Sequence, residues 1–313
     1  MKLSFAPLSQ STRVALLIAL ASCLLVSGCR GSSPNTSAEP KGRQAATTQP
    51  AGPPTGQAAG AGQTSEVVRL RFELPPDKPI KYDLTSRMFV SEGAGGSETS
   101  KLQMTSTTVA VQSAKRADKS GIFPVEVRFQ SPKATVERGG QADVSHARML
   151  EERLRSQVQV YRFDSRGRIH LGEGDEVPFE VGLNGLVFPE GPVGVGATWT
   201  HSCKLNLAKI VEAGAPTIPV TAKFRLLELS DRKGSRQAKV RMAVDAAVAE
   251  DSPDDKTIRY SGTVKLSEDA WVEVETGIIQ SAESKIDVQV SKLQGGTLRT
   301  FVRTAEQTMV RRP

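Results

Sequence analysis

Aromatic residues are scarce in this chain, at 5% of 313 residues. That argues against a carbohydrate module or a single-strand nucleic-acid platform, both of which stack ligands on exposed rings. Cysteine is scarcer still. There are three, and Cys23 and Cys29 lie in or beside the N-terminal apolar segment, so no disulfide scaffold is available. No G-x-S-x-G elbow and no H-E-x-x-H pair occurs. The uncharged apolar run Val14–Val26 has 13 residues. As a helix it spans about 20 Å, short of the ~30 Å hydrocarbon core of a bilayer. A net charge of +7 is modest for this length and does not call for a nucleic-acid partner.

The first residues carry a clear pattern. Lys2 and Arg13 precede the apolar run with no acidic residue between them, and residues 1–28 read as an export signal. Val26-Ser27-Gly28-Cys29 then matches the bacterial lipobox, in which small residues precede a cysteine. The expectation is cleavage between Gly28 and Cys29, a diacylglyceryl thioether on Cys29, and acylation of its new amino group, with palmitate as a natural label. Two or three acyl chains hold a protein far more firmly than one. Arg30 offers no aspartate-type inner-membrane retention signal. The mature chain is therefore expected in the cell envelope, at the outer membrane facing the periplasm.

Residues 30–65 contain no Val, Ile, Leu, Met, Phe, Trp, Tyr or Cys. Such a segment cannot bury enough apolar area to offset its backbone entropy. Residues 29–65 are read as a lipidated cysteine followed by a flexible tether. Its 36 residues after Cys29 give a root-mean-square reach of roughly 30–36 Å.

From Glu66 onward the texture is that of strands. Leu70, Phe72 and Leu74 alternate with Arg69, Arg71 and Glu73, which predicts a half-buried strand. Further alternating or β-rich runs are expected at 80–90, 99–113, 122–130, 158–164, 197–207, 218–229, 236–248, 257–266, 270–275, 278–291 and 297–309. One helix is predicted over 143–157, with Ala147, Leu150 and Leu154 on one face, Asp143 or Ser145 as cap, and a Glu151–Arg155 pair. The fold class is mostly β, with long curved antiparallel strands in a half-barrel or open-barrel arrangement.

Landmarks suggest two similar units, 66–182 and 183–313, which could form one continuous domain. Gly121 and Gly167 close turns in the first half, and Gly234 and Gly277 do so in the second. Each glycine supplies the positive φ that a three-residue hairpin loop needs. Between the units, Pro189-Glu190-Gly191-Pro192-Val193-Gly194-Val195-Gly196-Ala197-Thr198-Trp199 forms an irregular connector delivering Trp199 onto a strand. With the Phe163-Asp164-Ser165-Arg166-Gly167-Arg168-Ile169 hairpin, this segment resembles the DUF6263 family of bacterial extracytoplasmic proteins, often lipoproteins, over residues 66–310. The resemblance implies a curved β architecture and brings no reaction with it.

Candidate chemistry is sparse. His201 and Cys203 share a strand face with Trp199, Leu205 and Leu207, an apolar stripe that predicts core packing, with Cys203 a buried free thiol. Glu173–Glu176 and Glu250–Asp255 read as polar turns, and neither metal nor cofactor is expected. Phe129, Trp199, Phe224 and Trp271 are the candidate ligand-facing interior residues. The leading expectation is a non-enzymatic, lipid-anchored envelope lipoprotein that binds an apolar or amphiphilic ligand. The alternative is a structural or interaction module meeting another envelope protein or an anionic envelope polymer through its basic strand faces.

Overall fold

The computed structural model describes residues 66–76, 78–94, 97–170 and 185–313. The export signal, Gly28, Cys29, the tether, the Glu173–Glu176 turn and the 182/183 unit boundary lie outside the described residues.

The strands follow one another as antiparallel neighbours. The first arm comprises β2 (Ile80–Ala94), β3 (Ser97–Ala114), β4 (Phe123–Arg138) with the short β5 (Gln141–Ala142), β6 (Val158–Phe163) and β7 (Ile169–His170). The second comprises β9 (Thr198–Asn206), β10 (Thr217–Arg232), β11 (Ser235–Asp251), β12 (Arg259–Glu273), β13 (Ile279–Gln294) and β14 (Thr297–Arg311). Pairing of β14 with β2 fuses the arms into a 12-stranded sheet, ordered β7-β6-β4-β3-β2-β14-β13-β12-β11-β10-β9 with β5 on β4. The sheet is not closed into a barrel, because β7 and β9 end the order without pairing. A separate two-stranded sheet joins β1 (Val67–Val68) to β8 (Val193–Gly194).

Alternation along each long strand puts one face into the core. In β12, Val264, Leu266, Ala270 and Val272 are buried while Ser267 and Lys265 are exposed. The runs at 257–266 and 270–275 are parts of this one strand, since the period-2 pattern carries on without a break. The helix α1 (Val144–Ser156) starts at its cap Asp143, whose side chain accepts from the His146 N–H at 3.1 Å. Ala147, Leu150 and Leu154 are buried as their spacing predicted. Glu151 serves β4 instead of Arg155, its carboxylate accepting the Ala134 N–H at 2.8 Å. Strand β4 pairs with β6 only through Phe123–Arg128, and the helix packs against it.

The predicted strand over Val67–Leu74 is corrected. Only Val67 and Val68 pair, and the chain then runs as an extended strap across one end of the sheet. The alternation survives, because Leu70, Phe72 and Leu74 still point into the core. What differs is the bonding: Phe72 N–H donates to Ser165 O at 2.7 Å and Glu73 N–H to Thr276 O at 2.8 Å. The strap thus ties the β6–β7 turn to the β12–β13 turn, and Pro76 reaches Ala114 at the end of β3. Leu186, Val187 and Phe188 form a second buried strap, with Phe188 N–H on Arg166 O at 2.8 Å.

The landmark glycines all have positive φ, between 67° and 79°. The loops differ, however. Gly121 and Gly167 close three-residue loops, whereas Lys233-Gly234 is a two-residue turn and Gly277 ends a four-residue one. Gly277 has a further reason to be glycine, since a Cβ there would lie 2.0 Å from Arg71 O. At Gly167 the same atom would meet Leu186 O at 2.6 Å.

Candidate functional site

Two of the predicted interior residues meet and two stand apart. Trp199 stacks on Phe224 with ring centroids 5.7 Å apart, and its Nε1–H donates to Val187 O at 2.6 Å. Phe129 is buried on β4, away from that pair, against Ala110 of β3. Trp271 is corrected outright. It alternates with the buried Ala270 and Val272, so it lies on the opposite face, where the Arg232 guanidinium sits 3.8 Å above its ring. Its apolar character suggested the interior, but strand parity places it outside. Cys203 is partly buried rather than fully buried and forms no disulfide.

Following the register outward from Trp199 and Phe224 exposes a feature that no single strand shows. Directly paired residues run Trp199–Phe224–Met242–Glu268–Ser284–Gln307–Ser86–Ser106–Ala134 across β9 to β4. All lie on the core-facing side. Five consecutive members are polar: Glu268, Ser284, Gln307, Ser86 and Ser106. Four strand spacings of ~4.8 Å give this polar row a length of about 19 Å. None of its five side chains hydrogen-bonds or ion-pairs with another described residue. Glu268 is 3% exposed and Ser284 8%, while Gln307, Ser86 and Ser106 are partly open.

Apolar rows flank it on both sides. Two residues along the strands in one direction lie Met104, Met88, Ala305, Ile286 and Leu266, and in the other Leu84, Met309, Ala282 and Ala270. Each is about 7 Å from the polar row. Buried polar groups ordinarily find partners, because losing water without replacement costs about 1–3 kcal/mol each. That cost bears on Glu268 and Ser284, the two buried members, while Gln307, Ser86 and Ser106 are partly open; the five form a line of hydrogen-bonding groups between two apolar margins.

Glu268 dominates its electrostatics. Burial pushes its carboxyl up to about 8, with the neighbouring Asp269 charge adding to the shift. At neutral pH it is a carboxylic acid, able to donate one hydrogen bond and accept others. No lysine or arginine belongs to the five-residue row. Among other core-facing charges, Lys292 meets Glu212 at 2.8 Å, Tyr260 donates to that same carboxylate at 3.0 Å and Arg299 bonds to Glu92, while Arg303, four residues along β14 from Gln307, is buried and burial pushes its guanidinium down.

Among the described residues, no group of three His, Cys, Asp or Glu side chains converges. His146 lies against Asp143 with Arg138 beside both, and His170 lies near Asp164, which Arg168 also holds. Nor is any described helix long and apolar enough to cross a membrane.

No family model matches the chain, and no curated protein matches it. Among solved structures it is similar to lipovitellin, in a structure concerned with lipid–protein interactions, with 14% identity over 77% of this chain and a TM-score of 0.40. The chain spans about a quarter of that protein's length, 26%. It is also similar to DynF from the dynemicin biosynthesis pathway of Micromonospora chersina, at 10% identity, 79% and 85% coverage of the two chains and a TM-score of 0.20. An outer membrane channel from Pseudomonas putida F1 gives 8% identity, 77% and 97% coverage and a TM-score of 0.23. At these scores none of the three bears on the site, which is read from its own geometry.

Proposed function

We propose that this chain is a lipid-anchored envelope protein that binds a neutral-headed amphiphile along the polar row. The observation that carries the reading is the five-residue line of unpartnered side chains between two apolar rows. Hydroxyl, amide and protonated carboxyl groups recognise uncharged hydrogen-bonding groups, as in an acylglycerol head. The methionine-containing row is suited to an acyl chain, because Met side chains adapt to flexible apolar partners. The five-residue row itself offers a phospholipid or other anion no cation; the core-facing Arg303 lies four residues along β14 from Gln307, beyond the apolar margin. The export signal and lipobox supply the location, holding such a binder within reach of lipid. Binding without chemistry accounts for a row that holds no nucleophile–base pair.

Displacement of a fluorescent monoacylglycerol from purified full-length protein tests this. Saturable binding is expected, weakened at least tenfold by Glu268→Leu together with Ser284→Ala, and unchanged by Trp271→Ala on the other face. Absence of saturable binding, or equal binding by the double variant, would remove the proposal. The alternative, a protein-interaction module, draws on Val158 and Val160 of β6, which are 48% and 53% exposed. It predicts that crosslinking in cells captures one dominant protein at that strand, with the row empty.

A further inference from the structure

We propose that the strapped end of the sheet docks onto an anionic bilayer, so that the domain stands with this end against the membrane. The proposal rests on the reading of Cys29 as the lipid anchor. The described chain begins at Glu66, whose carboxylate is bound to Arg236 at the start of β11. The tether therefore joins the domain at the strapped end, beside the turns that follow β3, β6, β10 and β12.

Lys78, Lys81, Lys115, Arg116 and Lys119 are all exposed at this end, and among the described residues none has a carboxylate partner. They are neighbours. Lys81 stands opposite Val111 in the β2–β3 register, and Pro76 bridges to Ala114, which sets 78–81 alongside 111–116. Nearby acids are matched by other cations: Asp118 by Arg162 at 3.0 Å, Asp83 by Arg312 at 2.6 Å and Glu190 by Arg166 at 2.6 Å. Arginines thus pair with these three carboxylates, while a cluster made mostly of lysine is left facing outward; Glu275, exposed in the β12–β13 turn, is an acid at this end with no ion-pair partner among the described residues. The far end has the other character, with Asp251, Asp254 and Asp255 crowding the β11–β12 loop around Lys256.

Five unmatched cations within a Debye length of an anionic surface are attracted to it, each strengthening binding about fivefold. A segment with the composition of residues 30–65 is expected to reach roughly 30–36 Å, beyond the ~8–10 Å screening length, so an anchor at Cys29 would not by itself set which end faces the membrane. Because the cations share the tether's end, docking and tethering pull in one direction.

The test uses the chain that follows the export signal, residues 29–313 with Cys29→Ala, so that neither the apolar run Val14–Val26 nor an acyl anchor contributes, and co-sedimentation with vesicles. Neutral phosphatidylcholine vesicles give the baseline, and vesicles with one-third phosphatidylglycerol give the signal. At least tenfold preference for the anionic vesicles is expected, abolished by 0.5 M salt and by exchanging the five cations for Gln. A control exchanging Lys256 and Arg259 at the far end should keep the preference. Equal binding to both vesicle types, an unaffected five-site variant, or binding to a soluble polyanion without binding to vesicles would overturn the proposal. Acyl labelling of Cys29 in cells is a separate measurement, so failure of the anchor and failure of the docking face are told apart.

Discussion

The strapped end and the middle of the sheet handle polar groups in opposite ways. At the strapped end, Phe72, Glu73 and Phe188 donate backbone hydrogen bonds to the turns, and Asp164 accepts from the Arg166 and Arg168 N–H groups and the Arg168 side chain. Burial pushes that carboxyl up, but those bonds outweigh it and hold it below the ordinary aspartate value. Only about 10 Å³ of void remains between Phe72, Leu186, Phe188 and Ile279. In the middle, five polar side chains in register have no partner among the described residues, and one carboxyl is pushed up instead of down. The strapped end satisfies its backbone donors and the Asp164 carboxylate, although the buried Arg162 Nε and the His170 ring nitrogens there make no hydrogen bond. The open row across five strands is the feature on which the proposed binding of an amphiphile rests.

Gly277→Val should break the first region most severely. Its Cβ would press on Arg71 O at 2.0 Å and on the Phe188 ring at 2.8 Å, in a backbone with φ of 67°. Urea unfolding should show a loss of about 4 kcal/mol or more, or no folding at all. Gly234→Ala, where a Cβ meets nothing within 4 Å and only φ is unfavourable, should cost about 1 kcal/mol. Similar losses at both would mean the strap is not tightly seated.

Glu268 sharpens the contrast through pH. Its folded-state value of about 8 lies above the ordinary 4.5, so the folded protein holds this proton more tightly than the unfolded chain does. The associated stability is complete below pH ~4.5 and is lost progressively as pH rises to about 8, amounting to a few kcal/mol. Glu268→Gln should flatten that dependence in melts between pH 5 and 9. A wild-type profile already flat there would show that the carboxyl is hydrated or paired.

Removing the Trp199 Nε1–H bond to Val187 O with Trp199→Phe should cost about 1–2 kcal/mol, because the buried carbonyl loses its partner. The smallest effect belongs to the outer face. Arg232→Ala removes the guanidinium from Trp271 and should cost about 0.5–1 kcal/mol with no change in ligand binding. A larger loss, or altered binding, would mean the two faces are coupled.

Much of this was legible in the sequence because period-2 alternation and helix spacing are local. The long strands, the faces of Leu70, Phe72 and Leu74, the buried side of α1 and the turn glycines all follow from neighbours within a few residues. The strap was misread as a strand because alternation reports which side chains are buried, not what the backbone bonds to. Trp271 was misplaced because residue type outweighed parity: Ala270 and Val272 already marked the inner face. The polar row had no local signal. Ser86, Ser106, Ser284, Gln307 and Glu268 lie on five different strands, separated by up to 221 positions, and only the register aligns them. Glu268 was the one hint, a carboxylate where the β12 alternation calls for an apolar residue.

The most direct measurement of the central claim is photo-crosslinking of the full-length protein with a monoacylglycerol carrying a diazirine on its acyl chain, followed by peptide mass spectrometry. Labels are predicted on core-facing residues of β2, β13 and β14 beside the row, Met88, Ile286 and Ala305 foremost, with competition by unlabelled lipid. Labels confined to the Trp271 face or to exposed edges, or labelling that excess unlabelled lipid does not reduce, would contradict the account.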